Sequence, residues 1–389
     1  MSNTSNTTGS TDNMAKGLED VVITTTKLSK VDGIAGHLYY RGYSIDVLAQ
    51  HASFEEVAHL LWFGHLPNKA ELQATRERLA RERYLTPGLV DSLRNIPSTA
   101  SPMAVLRSAV SLLGHYDPEA EDTNHEAVMD KACRLTAQIA SVIAAFERLR
   151  RGQELVEPRE DLNHAANFLY MLTGEEPDPA ASRALEMYLI LLADHEFNAS
   201  TFAARVTAST MSDLYSAVTA AIGALKGPLH GAANQKAMEQ FMEIGSVENV
   251  RSWFEKAKAE RRRIMGVGHR VYKVLDPRAR HLREVALQLN EVAEDHRWLD
   301  IALKLEELVE SDPYFNERQL HPNVDYYSAP LLYTLGIPVD LFTTIFAMSR
   351  IVGWTAHVME QWADNRLIRP RAQYVGPIDL PWVPLEQRG

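Results

Sequence analysis

The stretch Ala184-Leu185-Glu186-Met187-Tyr188-Leu189-Ile190-Leu191-Leu192-Ala193 runs directly into Asp194-His195-Glu196-Phe197-Asn198-Ala199-Ser200-Thr201. Its first half places apolar side chains on nearly every face of a helix. Such a helix belongs inside a large helical body, because a surface helix keeps one polar face. A second segment of the same kind runs from about Asp213 to Lys226. Lys226 suits the negative end of its dipole, and Gly227-Pro228 stops it. Each segment ends next to a histidine, His195 after the first and His230 after the second. A side chain just past a buried helix end sits on irregular backbone and is able to face a cleft.

Outward from these segments the chain reads as helix almost throughout. Ser53-Phe54-Glu55-Glu56 has capping-box spacing, with Gly64 and Pro67 as the stop. Leu135, Ile139, Val142, Phe146 and Leu149 recur on one helical face, and Gly152 ends that segment. Only Val21 to Lys27 and His37 to Tyr43, on either side of Asp32-Gly33, read as strands. Between about 235 and 310 charge becomes dense and the helices turn amphipathic. Apolar burial resumes from Val339 to Val358, and the chain from Arg366 is Pro-punctuated and extended. No repeat of the solenoid type is visible. The expected fold is all-α with a minor β-hairpin near the N-terminus. A large helical domain (17–230 and 334–389) carries a smaller helical domain (231–333) that closes over a cleft. Residues 1–16, rich in Ser, Thr, Asn and Gly, are expected to be a disordered tail.

Composition narrows the partners. The 389 residues hold 40 Lys+Arg against 51 Asp+Glu, a formal charge of -11, so the overall field repels nucleic acid and anionic membranes. An anionic substrate would therefore need positive charge gathered locally. The single cysteine, Cys133, excludes an internal disulfide and reads as a buried, inert thiol. No run approaches the ~18 apolar residues of a membrane span, and no signal peptide opens the chain. A soluble, cytoplasmic protein is the expectation.

Four clusters carry candidate chemistry. In Lys226-Gly227-Pro228-Leu229-His230-Gly231, glycines frame the histidine, which fits either close approach by a ligand or an incidental loop. Met265-Gly266-Val267-Gly268-His269-Arg270-Val271-Tyr272-Lys273 continues to Asp276-Pro277-Arg278. Without a βαβ unit and a third glycine it is no dinucleotide loop. It remains a Gly-rich turn with cations suited to a carboxylate, or a solvated basic loop. In His321-Pro322-Asn323-Val324-Asp325-Tyr326-Tyr327, Asp325 is either a general base with a raised pKa or a capping residue. Arg350, inside the apolar run Leu341 to Trp354, needs a partner: an internal carboxylate or one on a substrate. Arg369, in Ile368-Arg369-Pro370, is a weaker candidate. His195-Glu196 and His125-Glu126 begin like His-Glu-x-x-His, but Ala199 and Met129 stand in the last position, so no zinc signature survives.

Together these segments resemble the citrate synthases. Asp194-His195-Glu196-Phe197-Asn198, Gly-Pro-Leu-His-Gly, Gly-His with Asp-Pro-Arg, Pro-Asn-Val-Asp and Ser-Arg-Ile-Val-Gly-Trp follow one another in that family's order, covering the chain from Gly17 onward. The length resembles the short dimeric bacterial and archaeal branch, without the extra N-terminal domain of the hexameric form. The resemblance implies condensation of acetyl-CoA with oxaloacetate, the first step of the tricarboxylic acid cycle. It assigns His230 to the thioester carbonyl, Asp325 to the methyl proton and His269 to the oxaloacetate ketone. His195, Arg278 and Arg350 would bind oxaloacetate. Arg369 would reach into the neighbouring subunit's site, making a homodimer with shared active sites. Ile264, Gly266, Gly268, Arg270 and Lys273 would contact CoA, itself a substrate carrier, and no metal or redox cofactor is implied. The alternatives are a 2-methylcitrate synthase using propionyl-CoA, a citryl-CoA lyase, and a non-catalytic helical assembly protein.

Overall fold

The computed structural model describes residues 15–388 apart from 19, 20, 270, 292 and 294. Nearly all of the expected tail lies outside those residues. A three-stranded antiparallel sheet opens the fold, with β1 (Ser29–Asp32), β2 (His37–Tyr40) and β3 (Tyr43–Ser44) in that order. Ser29 pairs with Tyr40 and Asp32 with His37. Helices follow: α1 (Ile45–His51), α2 (Phe54–Phe63), α3 (Lys69–Arg81), α4 (Pro87–Arg94), α5 (Pro102–Leu113) and α6 (His125–Arg150). Next come α7 (His164–Thr173), α8 (Pro179–Leu192), α9 (Ala199–Ser209), α10 (Leu214–Leu225), α11 (Ala233–Ile244) and α12 (Val250–Ala259). The last are α13 (Pro277–Asn290), α14 (Arg297–Ser311), α15 (Pro313–Glu317), α16 (Val324–Thr334) and α17 (Phe342–Ala363). The all-α expectation holds.

The helix ends follow local chemistry. Ser53 caps α2 in a reciprocal capping box with Glu56, and Gly64 ends that helix at φ 86°. The mostly apolar segment ahead of His195 is α8, and every residue from Ala184 to Leu192 is buried. Alongside it lies α17, buried from Phe342 to Val358, with Trp354 fully enclosed. Ser349 on α17 donates to the Leu189 carbonyl of α8, which fixes their register.

One strand expectation fails. Val21 to Lys27 forms no strand, and the first strand begins at Ser29. The N–H of Lys27 instead donates to the Glu360 carboxylate at 2.8 Å, so a tertiary contact overrides local β-propensity.

Helices α11 to α16 pack largely on one another, through the pairs α13/α16, α11/α16, α12/α14 and α14/α16. They meet the remaining helices mainly where α13 and α16 touch α8 and where α11 touches α17. Two further ties bridge the groups. The Lys273 N–H donates to the Gly33 carbonyl in the β1–β2 turn, and Asp46 on α1 accepts from Arg280 and His281 on α13 at 2.7 and 2.6 Å. No described helix is long and apolar enough to cross a membrane.

Candidate active site

The four clusters converge where these two groups of helices meet. His195, just past α8, lies 5.6 Å from His269, ring to ring, and Tyr272 packs against both at 5.6 and 4.8 Å. The Tyr272 hydroxyl sits 3.2 Å from His195 Nε2. Glu196 holds a left-handed backbone at φ 55°. Such a conformation costs about 1–3 kcal/mol in a residue with a side chain. Its N–H is held by the Ser29 hydroxyl and its carboxylate by the Val31 N–H, so the sheet clamps the turn that presents His195.

His230 stands in the loop between α10 and α11. Its Nε2 receives the N–H of Ser200 at 3.3 Å and lies 2.8 Å from the Ser200 hydroxyl. A main-chain N–H is only a donor, so Nε2 must be the unprotonated nitrogen and the proton sits on Nδ1. The Ser200 hydroxyl is itself fixed, accepting from the Trp354 indole N–H at 3.1 Å and lying 2.7 Å from Asn198 Oδ1. Burial, with the charge of Arg350 adding, brings His230 down to about 4. It is a neutral imidazole presenting Nδ1–H.

His269 has the opposite tautomer. Its Nδ1 accepts from the N–H groups of Val271 and Tyr272 at 3.0 and 3.1 Å, which leaves the proton on Nε2. Burial and Arg278 bring it also to about 4. The turn before it is zipped to the segment preceding α16. Gly268 donates to the His321 carbonyl, and Asn323 donates to the carbonyls of Gly266 and Gly268. Gly266 and Gly268 take φ of 78° and 85°, and a Cβ on Gly266 would strike the Tyr326 backbone at 2.8 Å. Both glycines are required by the turn that presents His269.

Asp325 lies in the first turn of α16, whose cap is Asn323. The capping alternative for Asp325 is thereby excluded. Burial pushes its carboxyl up to about 6 against the opposing pull of Arg278 and Arg350. His195 is driven well below its ordinary value by burial and by Arg278, with His269, Arg350 and His230 all contributing.

The two arginines differ. Arg278 is buried and bidentate to Asp276, Nε at 3.0 Å and Nη2 at 2.8 Å. That pairing occupies one edge of the guanidinium fork and leaves the Nη1 edge unused. Arg350 is buried, donates from Nε to the Leu192 carbonyl at 2.6 Å and lies over the Phe346 ring. No carboxylate pairs with it among the described residues. Burial brings it down to about 10 even with Asp194 nearby. The positive charge that an anionic substrate would need is gathered here despite the acidic whole.

The remaining expectations fare unevenly. Arg369 is exposed on the extended C-terminal segment and meets none of these residues within its own chain. Ile264 is buried in the core, so it offers a ligand backbone rather than side chain. Lys273 is exposed, while Arg270 lies outside the described residues. Cys133 is buried, its thiol pushed up to about 12, as the inert reading requires. Sequence reasoning missed Ser200, Tyr272 and Asp276. All three lie in or beside the quoted motifs, but only their contacts reveal what they do.

Comparison with known proteins identifies the family and the fold. Residues 17–371 match the family model for the citrate synthase C-terminal domain. The chain is 49% identical over 374 residues to citrate synthase 2 of Bacillus subtilis, covering 96% of this chain and 99% of that one. It is 44% identical over 361 residues to 2-methylcitrate synthase of Mycobacterium tuberculosis, covering 93% and 90%. The citrate synthase of the archaeon Thermoplasma acidophilum, solved with carboxymethyl coenzyme A and oxaloacetate, superposes with a TM-score of 0.91 at 35% identity, covering 96% and 99%. The motifs, the helical fold and these matches agree, and the chain belongs to the citrate synthase family.

Proposed function

We propose that the enzyme condenses acetyl-CoA with oxaloacetate and hydrolyses the resulting citryl-CoA to citrate and CoA. The observation that carries this reading is the pair of opposite tautomers, Nδ1–H on His230 and Nε2–H on His269, together with the raised pKa of the buried Asp325 carboxyl. A thioester methyl is a weak acid, so Asp325 needs help to remove its proton. His230 Nδ1–H supplies that help by donating to the thioester oxygen as the enol forms. The enol carbon then attacks the keto carbon of oxaloacetate, and His269 Nε2–H stabilises the charge arriving on the keto oxygen. Both imidazoles are neutral, so they donate without protonating the substrate outright. Water finally cleaves the thioester. The Nη1 edge of Arg278, both Nη groups of Arg350, and His195 receive the oxaloacetate carboxylates.

Residues 17–230 and 334–389 form the large domain in this reading, and 231–333 form the small one. Closure between them excludes water until the carbon–carbon bond has formed. The backbone at Ile264, Gly266 and Gly268 would contact CoA in this reading, with Arg270 and Lys273 as its proposed cationic partners. No metal or redox cofactor takes part. The working unit is a homodimer, in which Arg369 enters the neighbouring site. The long exposed C-terminal segment, with Tyr374, Ile378, Leu380 and Trp382 uncovered, is suited to lie on a partner.

The alternative substrate, propionyl-CoA, differs by one methylene, worth about 1–3 kcal/mol of discrimination. Comparing kcat/KM for the two thioesters with oxaloacetate tests the assignment. Acetyl-CoA is expected to be preferred by roughly tenfold or more. A propionyl preference reassigns the enzyme as a 2-methylcitrate synthase, and absence of CoA release from either overturns the catalytic reading.

A further inference from the structure

The junction between α2 and α3 holds three side chains that the proposed chemistry does not use. His59 lies in the second half of α2, His65 in the connection and Glu71 in the first turn of α3. One ligand atom from each lies within 4.8 Å of the others. His65 Nε2 is 3.3 Å from Glu71 Oε1. The rings of His59 and His65 stand edge to face at 5.2 Å.

His59 separates this group from an ordinary surface ion pair. Its side chain is only 4% exposed, and its Nε2 is buried with no hydrogen-bond partner. The other nitrogen is accounted for. Thr75 Oγ1 donates to the Glu71 carbonyl at 2.9 Å, so it must accept from His59 Nδ1–H at 3.0 Å. The tautomer is therefore fixed with a bare lone pair on Nε2. A buried acceptor left unsatisfied costs about 1–3 kcal/mol and calls for a partner. Histidine ligands in metal sites have this arrangement, one nitrogen donating to an orienting group and the other free for the ion.

We propose that His59 Nε2, His65 Nε2 and Glu71 form a binding site for a borderline transition-metal cation, Zn²⁺ foremost. Two imidazoles and one carboxylate suit Zn²⁺ rather than Mg²⁺ or Ca²⁺, which require mainly oxygen ligands. Partial exposure of His65 and Glu71, 57% and 39%, leaves room for water as a fourth ligand and gives the ion a way in. The second oxygen of Glu71 stays on the Asn68 N–H at 2.8 Å, which orients the carboxylate. The bound ion ties the second half of α2 to the start of α3. His59, His65 and Glu71 stand six residues apart in turn, a spacing outside the helical His-Glu-x-x-His pattern.

The test is calorimetric titration of Zn²⁺ into the full chain, tag-free, chelator-treated and in buffer without citrate, which would sequester the ion. The expected result is one ion per chain, with binding weakened at least a hundredfold in His65→Ala. Thr75→Val keeps the volume but frees His59 Nδ1 from its acceptor, and is expected to weaken binding about 10–100-fold. His65 is exposed and outside the catalytic cleft, so unchanged CoA release by His65→Ala certifies a folded variant. No binding to the parent chain overturns the site. So does binding of equal strength in His65→Ala, which places the ion elsewhere.

Discussion

The main-chain N–H of Ser200 donates to Nε2 of His230 at 3.3 Å, and this contact holds the imidazole proton on Nδ1, the nitrogen that the proposed mechanism gives to the thioester. The hydroxyl of the same serine joins the ring to the buried indole of Trp354. Loop and helix thus set the tautomer before any substrate arrives, which is the preorganisation that electrostatic catalysis requires.

His230→Ala is expected to lower kcat about 10²–10³-fold, the usual loss for one oxyanion donor. Ser200→Ala keeps the main-chain donor but removes the hydroxyl, and is expected to lower kcat by roughly tenfold through misorientation of the ring. The readout is the split between constants. A positioning role lowers kcat while KM for oxaloacetate stays within about twofold, whereas a parallel collapse of both would mean local unfolding.

Asp325 must be ionised to act as a base, and its carboxyl is pushed up to about 6. The rate is therefore expected to rise with pH through about 6 and then level off. Stability runs the other way. Between the unfolded value near 3.8 and the folded value the native state binds more protons, so stability falls as pH rises through that window. Asp325→Asn removes the charge, so it is expected to abolish turnover while raising stability at pH 7 by up to about 3 kcal/mol. Thermal unfolding at pH 7 and below pH 4 checks this, since the gain should vanish at the lower pH. A variant less stable than the parent at pH 7 would falsify the raised pKa.

The arginines give opposite stability outcomes. Arg278→Met strands the buried Asp276 carboxylate and is expected to cost about 3–5 kcal/mol. Arg350→Met strands no carboxylate, only the Leu192 carbonyl, while it relieves a buried cation. Its stability is expected to stay within about 1–2 kcal/mol of the parent. Both variants should lose oxaloacetate affinity at least a hundredfold, about 3 kcal/mol. Denaturant unfolding beside oxaloacetate titration separates them. Equal destabilisation by both would mean that Arg350 is a structural cation.

Much of this was legible because helix ends and buried faces are written locally. Ser53 with Glu56, Gly64, and the mostly apolar run from Ala184 to Leu192 each depend on neighbours within two turns. What was not legible depends on contacts that the residue pattern does not specify, several of them distant in sequence. Val21 to Lys27 has strand-forming residues, yet Glu360 claims its backbone. Arg350 read correctly as needing an explanation, but the sequence left open whether a carboxylate within the fold supplied it. Arg278 read as a ligand for substrate; Asp276 stands two residues away in the same motif, but the sequence does not say that the two close into a bidentate pair. The proton positions on His230 and His269 follow from main-chain donors at Ser200, Val271 and Tyr272, which no side-chain pattern encodes. His59 was invisible as a ligand because its orienting partner, Thr75, stands on the next helix.

Arg369 tests whether the active site is shared. It is exposed and touches none of the cleft residues of its own chain, so in this conformation it could reach a site only from a second copy. Arg369→Ala and His230→Ala are each expected to be nearly inactive as homodimers. A heterodimer holds one site that lacks both groups and one that lacks neither, so mixing the chains restores activity if the site is shared. With statistical reassociation, half of the dimers are mixed and each carries one intact site, which sets recovery near a quarter of the parent rate. Subunit exchange followed by CoA-release assay, with heterodimers confirmed by differential tags, reads the outcome. Full activity of Arg369→Ala alone removes the residue from the mechanism. Silent heterodimers place its action within its own chain, reached by movement of the C-terminal segment.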